Sequence, residues 1–434
     1  MVGLGRSLGA IGAVGRTVSG QIASSNLLVA GSTGVAGLIV ARSLGPSDRG
    51  ILAVVFAWFT LMAYLGDAGM SESLTYFVAK NPSNANNLIR LVSRWLLVSG
   101  SLGTLVLLLA ALPLLAISGS VYALYLALYA LLLPLIFQSN VALAALLGIA
   151  VREWSAVRLM QSISYLALVT LFAFQMNMSL MVVYAVYTIS AVLQLCFGWA
   201  VLRRHVRSDQ SEVLARSDRV AVDDKQRKAV VAFSLRNSAG NIPGVFYQIL
   251  PMVLLPLWLP PVEIGKYAVA WTVANLVQPI ASSFGRAGMP EIAARLGGSR
   301  AGETVPLIRQ LEWRTAVSAI AVAVPLALLS PLLLPRLLGP EYVGTGLLVS
   351  ILCFAAVANA VKATFRSVLI GMGQPGAAVP VDWITLGVQL GLIALLAKPM
   401  GLWGVCVGIV IGSVVGLVAY RWRVRRSLKT LFAN

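Results

Sequence analysis

Apolar runs of about 20 residues or more, long enough to cross a bilayer as helices, recur along the whole chain between short polar interruptions. The pattern predicts twelve such spans, at roughly 21–44, 50–78, 90–117, 120–148, 153–175, 180–202, 229–257, 263–294, 306–334, 343–371, 376–397 and 400–420. The short alternating strands of a membrane barrel are not seen. Pro134, Pro243, Pro251, Pro256, Pro279 and Pro325 end or interrupt several runs. In a membrane such breaks persist only where protein or a wet cavity satisfies the freed backbone groups. The one long polar stretch, RRHVRSDQSEVLARSDRVAVDDKQRK at 203–228, follows six runs and precedes six. Its mixed charge and few large apolar residues predict a solvated linker. The expected organisation is an N-lobe at 1–202, a cytoplasmic linker at 203–228 and a C-lobe at 229–434.

The two halves echo each other. LGPSDRG (44–50) and LPPVEIG (259–265) share Leu, Pro, an acid and Gly at one spacing, and each precedes an apolar run. A proline followed by an acid is the chemistry of a helix start, since proline suits the first turn and the acid suits the N-terminal dipole. DAGMSE (67–72) is echoed by RAGMPE (286–291), and GIAVREWSAV (148–157) more weakly by GMGQPGAAVP (371–380). Six spans per half give both halves one orientation, so the repeat axis runs along the membrane normal. Within the second echo Asp67 corresponds to Arg286 and Glu72 to Glu291. The reversal of charge nominates Asp67, Arg286, Glu72 and Glu291 as gate or coupling residues, with an Asp67–Arg286 bridge as the sharp hypothesis. The alternative is that each charge marks where its helix leaves the membrane.

Composition agrees with the spans: 59% of residues are hydrophobic and 11% charged, against about 25% charged in soluble proteins. The net charge of +18 is explained by topology before any polyanion is invoked. With the N-terminus inside, 28 of the 33 Lys and Arg fall on the inner side, leaving Arg42, Arg49, Lys266, Arg336 and Lys398 outside. The positive-inside rule then places both termini in the cytoplasm and the chain in the cytoplasmic membrane, with no nucleic-acid partner. The N-terminal segment, broken by Arg16, reads as a lead into the first span rather than a cleavable signal. Cys196, Cys353 and Cys406 sit singly in apolar runs and His205 in a basic loop, so no metal site or disulfide is expected. No Walker loop or HExxH occurs, and no catalytic residues or enzymatic activity are expected.

Cations within spans usually face a cavity, because a charge near a helix centre is costly. Arg236 stands about two turns into the seventh span, beside Asn237 and Asn241 and ahead of Pro243. The first span opens as SGQIASSNLL, with Gln21 and Asn26, so the equivalent spans one and seven both begin polar. Lys362 and Arg366 on the tenth span are four apart and share a face. Arg42 ends the first span near the outer surface; snorkelling to the nearest interface is the alternative for Lys362, Arg366 and Arg236, and the plainer reading for Arg42. Several arginines without a metal site suit an anion, most naturally phosphate or pyrophosphate gripped by guanidinium forks.

VARSLGPSDRGILAVVFAW, PPVEIGKYAVAWTVANL and RAGMPEIAARL resemble the polysaccharide-biosynthesis flippases, O-antigen-type transporters of the multidrug/oligosaccharidyl-lipid/polysaccharide (MOP) exporter superfamily. The resemblance covers essentially the whole chain and rests on turns and helix ends. It implies an all-α membrane fold of twelve helices, two pseudo-symmetric six-helix lobes forming a V around a central cavity, as in MATE-like proteins. It also implies a cargo, a polyprenyl-pyrophosphate-linked oligosaccharide turned from inner to outer leaflet by alternating access for cell-surface polysaccharide assembly. Membrane lipid, glycosyltransferases and a polysaccharide polymerase are the implied partners. No cofactor is expected, and coupling to a proton or sodium gradient stays open. On this reading Arg236, Arg366 and Lys362 meet the pyrophosphate, Asn237, Asn241, Gln21 and Asn26 face sugar hydroxyls, and Arg42 receives the head group outside. The alternative is a cation-coupled multidrug exporter of the same superfamily, for which acids in the cavity are expected; the first span carries none. A non-transporting scaffold that keeps the fold is the third reading.

Overall fold

The computed structural model describes residues 18–118, 120–175, 178–213, 224–296 and 303–433, and the regular structure in them is helical. The long helices are α1 (Val18–Asp67), α2 (Met70–Lys80), α3 (Ala85–Ser118), α4 (Ser120–Ala130), α5 (Leu133–Ile149), α6 (Val151–Gln175) and α7 (Leu180–Val213). They continue with α8 (Asp224–Leu254), α9 (Pro261–Ala274), α10 (Val277–Leu296), α11 (Thr304–Leu338), α12 (Thr345–Gly371) and α13 (Val379–Ala433). Among the described residues eight helices are long and apolar enough to cross a membrane, or nine if the bent pair α4 and α5 is one crossing. The chain is an all-helical, multi-pass membrane protein.

Two helices are far longer than a bilayer is thick, and glycine interrupts both. Gly45 has φ 73° inside α1 and Gly401 has φ 56° inside α13, left-handed values at which the helical path breaks. Other expected spans are divided as well. The run at 50–78 stops at Asp67, turns through Ala68 and Gly69 at φ 46° and 77°, and resumes as α2. The run at 120–148 bends by 40° ahead of Pro134, and that at 263–294 pauses after Ala274, a few residues before Pro279. Proline lacks the amide hydrogen a continuous helix needs and crowds the preceding turn. Conversely, α7 runs past its apolar part to Val213, into the stretch expected to be linker. Residues 214–223 of that stretch lie outside the described residues.

The chain divides into two compact units, Met1–Ser43 with Trp58–Ala239, and Leu44–Ala57 with Gly240–Asn434. In the first, α5 packs against α2, α3, α6 and α7. Its core joins Leu74, Val78, Leu88, Val92, Leu96, Phe137, Val141 and Val157. Ser73 and Ser234 meet at 2.7 Å and fasten the start of α8 to α2. In the second unit α12 is the hub, packing against α9, α10, α11 and α13. Of its most apolar window 61% is buried, against 22% for α11, so α12 is the interior helix and α11 a peripheral one. Small residues such as Ala355, Ala356 and Ala360 on α12 let neighbouring backbones approach.

The echo at 44–50 and 259–265 has a structural explanation within this unit. Pro46 follows the break at Gly45, and Pro261 opens α9 with Glu263 in its first turn, so both segments are helix starts. They also touch. A β-carbon built on Gly50 would lie 1.9 Å from the Pro261 carbonyl oxygen, and one on Gly265 would lie 1.8 Å from that of Pro46. The two repeats pack against each other reciprocally, and the shared glycine is what permits it.

Candidate functional site

Helical spacing brings polar residues of the second unit to one place. On α8 these are Asn241, Gly244, Tyr247 and Gln248; on α12, Asn359, Lys362 and Arg366; on α13, Asp382, Thr385 and Gln389, then Ser413 and Tyr420. Within each set the spacing of three, four or seven keeps the side chains on one helix face. Most of them, with Trp271, Asn275 and Gln278, line a cavity of about 120 Å³. A space that size holds several waters or a small anionic group, and not an oligosaccharide.

Arg366 anchors the cluster. Its Nη2 donates to Asn241 Oδ1 at 2.8 Å and to the Gly240 carbonyl at 3.4 Å, and its Nε lies 3.9 Å from Asp382 Oδ2. Lys362, one turn earlier, places Nζ 3.8 Å from the centre of the Tyr247 ring, a close cation–π contact. The Tyr247 hydroxyl meets Ser413 Oγ at 2.6 Å, and Asn359 Nδ2 donates to the same oxygen at 3.2 Å. Gln389 Nε2 donates to the Tyr247 carbonyl at 3.2 Å.

Asp382 is the acid of the site. It is buried, Tyr420 donates its hydroxyl to Oδ1 at 2.8 Å, and Oδ2 has no hydrogen-bond donor from the protein. Asn359 Oδ1 and Gln389 Oε1 are buried acceptors in the same situation. Two cations against one acid leave the cavity with an excess of positive charge, held by groups that low polarity makes expensive to leave unpaired. Such a place attracts an anion that can take guanidinium and ammonium hydrogen bonds.

The residues expected from sequence separate into groups. Asn241, Lys362 and Arg366 come together here. Arg236 and Asn237 belong to the first unit; Arg236 is exposed, while Ser234 and Ser238 take the buried face of that turn. Asn26 is half-buried in the first unit and accepts a hydrogen bond from Arg158, which also lies over the Trp154 ring at 5.2 Å. Arg42 is exposed at the end of that unit's first segment. Asp67 accepts a 2.5 Å hydrogen bond from the Ser71 hydroxyl, and Glu72 is exposed. Glu291 is paired along its own helix with Arg295 at 2.6 Å. The side chains of Gln21 and Arg286 lie outside the described residues.

Asp382, Tyr247, Gln389, Asn359 and Tyr420 were not anticipated as site residues. A signal existed for the first, since PVDWITLGVQL carries Asp382, Thr385 and Gln389 at one helix face inside an apolar run. Tyr420 comes 38 positions after the acid it serves, and nothing local joins them.

Against known proteins, residues 19–296 match the family model described as "Polysaccharide biosynthesis protein". No curated protein matches the chain. Among solved structures, an inward-facing multidrug resistance MATE family transporter of the MOP superfamily is similar, with TM-score 0.73 and 18% identity over 92% of this chain and 94% of that one. The MATE multidrug transporter DinF-BH in complex with R6G gives TM-score 0.67 and 16% identity, covering 96% of each chain. The lipid II flippase MurJ in an inward closed conformation gives TM-score 0.70 and 11% identity over 95% of this chain and 89% of that one. At these identities the likeness is one of fold, which is MATE-like.

Proposed function

We propose that this chain, which belongs to the polysaccharide biosynthesis protein family, moves a polyprenyl-pyrophosphate-linked oligosaccharide from the inner to the outer leaflet of the cytoplasmic membrane. It is a MOP-type transporter linked to polysaccharide biosynthesis, and not an enzyme. The observation that carries the finer reading is the pairing of Lys362 and Arg366 around one buried acid, an excess of positive charge in an otherwise apolar body. A cationic drug would meet repulsion there. A diphosphate would find a guanidinium fork and an ammonium group four residues apart on α12.

The architecture supports twelve crossings in two halves. The candidate membrane stretch within α1, Ser24–Asp67, is 44 residues and the one running from Pro375 through α13 to Thr430 is 56, about 66 and 84 Å at 1.5 Å per residue. Each is more than twice the roughly 30 Å of a hydrocarbon core, so each crosses twice, turning at Gly45 and Gly401. Counting α4 with α5 and α9 with α10 as one crossing each, and α2 as the continuation of the second, gives six spans before the 203–228 stretch and six after. The hub helices α5 and α12 then occupy the fourth place in each half, as a repeat requires. With the termini inside, Arg366 lies five residues from the inner end of α12, about 8 Å. That is the depth at which an inner-leaflet pyrophosphate would arrive. The 120 Å³ cavity suits the phosphates alone, and the glycan needs the wider space that alternating access would supply.

Reconstitution tests the reading. Proteoliposomes holding the purified chain and a fluorescent polyprenyl-pyrophosphate oligosaccharide should expose the glycan to an added quencher, and Arg366→Gln should slow this by about tenfold or more. Deleting the gene should leave the lipid-linked glycan on the inner leaflet. Export of a cationic dye with no movement of the lipid-linked sugar would overturn the proposal in favour of a drug exporter.

A further inference from the structure

A transporter's site has to release what it holds, so a diphosphate cannot meet two uncompensated cations in a low-polarity cavity without being trapped there. The groups facing that cavity include Lys362 and Arg366 from α12, Tyr247 from α8, and Asp382 and Tyr420 from α13. Of these Asp382 carries the negative charge. Its position is that of a substituent anion. Tyr420 holds one carboxylate oxygen in place, while the other, 3.9 Å from Arg366 Nε, takes no hydrogen bond. The Asp382 side chain is 6% exposed and that of Arg366 32%, so an incoming anion can reach the guanidinium with the carboxylate behind it. Arg366 is meanwhile kept in place by Asn241 and the Gly240 carbonyl. The ion pair at 3.9 Å is therefore loose on a fork that is otherwise firmly held, an arrangement in which one anion can replace another.

Resting on the reading of Lys362 and Arg366 as a diphosphate site, we propose that Asp382 is a built-in counter-anion that offsets part of the positive charge of the empty site and competes with the cargo's phosphates. It lowers affinity enough for release. Its role is regulation of the site, and it need not touch the cargo at all.

The test uses the full chain in detergent, with inorganic pyrophosphate, a polyprenyl pyrophosphate and the corresponding polyprenol as probes, and Trp271 in the cavity wall as a fluorescence reporter. Asp382→Asn keeps the shape and removes the charge. It should bind polyprenyl pyrophosphate about tenfold or more tightly, the effect of deleting one like charge a few ångströms from an anion, and in proteoliposomes flip it more slowly. Asp382→Glu, which keeps the charge, should stay near the parent. Tyr420→Phe frees the acid to lean on the cations and should weaken binding, the opposite sign, which keeps the test alive if Asp382→Asn does not fold. Unchanged or weaker binding in Asp382→Asn, with Arg366→Gln still losing it, would make Asp382 a scaffold and overturn the inference alone. Equal binding by Arg366→Gln and the parent, or by polyprenol and the pyrophosphate, would instead overturn the diphosphate site itself. A response to free pyrophosphate with the lipid-linked probe inert would likewise refute a lipid-linked cargo.

Discussion

The contact of Gly50 with Gly265 makes a sharp quantitative prediction, because on both sides the neighbour is backbone. An added methyl at Gly50 would stand 1.9 Å from the Pro261 carbonyl oxygen and one at Gly265 1.8 Å from that of Pro46, where ordinary contact begins near 3.4 Å. Either alanine must therefore open the two segments by about 1.5 Å, and no rotamer change can relieve it. Overpacking of buried sites costs about 1–3 kcal/mol, and rigid partners put Gly50→Ala and Gly265→Ala at the upper end, about 3 kcal/mol each. The double variant should cost much less than about 6 kcal/mol, since the opening that admits one methyl also admits the other, and coupled neighbours deviate from additivity by roughly 0.5–3 kcal/mol. Denaturant titration in mild detergent, followed by tryptophan fluorescence, measures all four corners of the cycle. Single alanines within about 0.5 kcal/mol of the parent would show that the segments do not meet in the folded protein. Full additivity would show that they act at separate places.

Arg366→Lys retains the charge and loses the fork that reaches Asn241 and the Gly240 carbonyl; pyrophosphate affinity should fall by about tenfold, as removal of one charged hydrogen bond does, and titration of the purified variant would read it. Tyr420→Phe leaves Asp382 Oδ1 without its donor, at a cost of about 1–3 kcal/mol visible in the denaturant midpoint. Gly45→Ala forces a side chain to φ 73° and should lower the unfolding free energy from the same titration by about 1–3 kcal/mol. Binding of pyrophosphate should weaken as salt rises from about 0.05 to 0.5 M, because the attraction is between charges that ions screen; a salt-independent affinity would exclude Lys362 and Arg366 as its source.

The periodicity of the chain carried far because membrane helices must be long, apolar and internally hydrogen-bonded, leaving few alternatives for a run of 20 such residues. Where the runs break was harder to see. Pro134 and Pro279 were visible as interruptions, yet the turn at Ala68 and Gly69 has no proline and depends on how α2 must point to bring Ser73 onto Ser234. The same limit governs the site. Spacing puts Lys362 and Arg366 on one face, and both line the 120 Å³ cavity of the second unit, a polar place for residues that are costly in lipid. For Arg236 the spacing was equally plain and the conclusion different. Ser234 and Ser238 occupy the buried side of its turn, and a residue two positions from Ser234 points about 200° around the helix from it. A helix near its end can present charge to water as cheaply as to a cavity, so composition does not choose the face there. The echo of LGPSDRG in LPPVEIG belongs between these cases. Recurrence revealed two helix starts of one kind, while the reason both end in glycine lies 215 positions away, in the backbone of the other copy. A residue kept in two repeats for its own turn and a residue kept because the repeats touch look alike in one dimension. They are told apart by the alanine cycle, in which independent turns add and a shared contact does not.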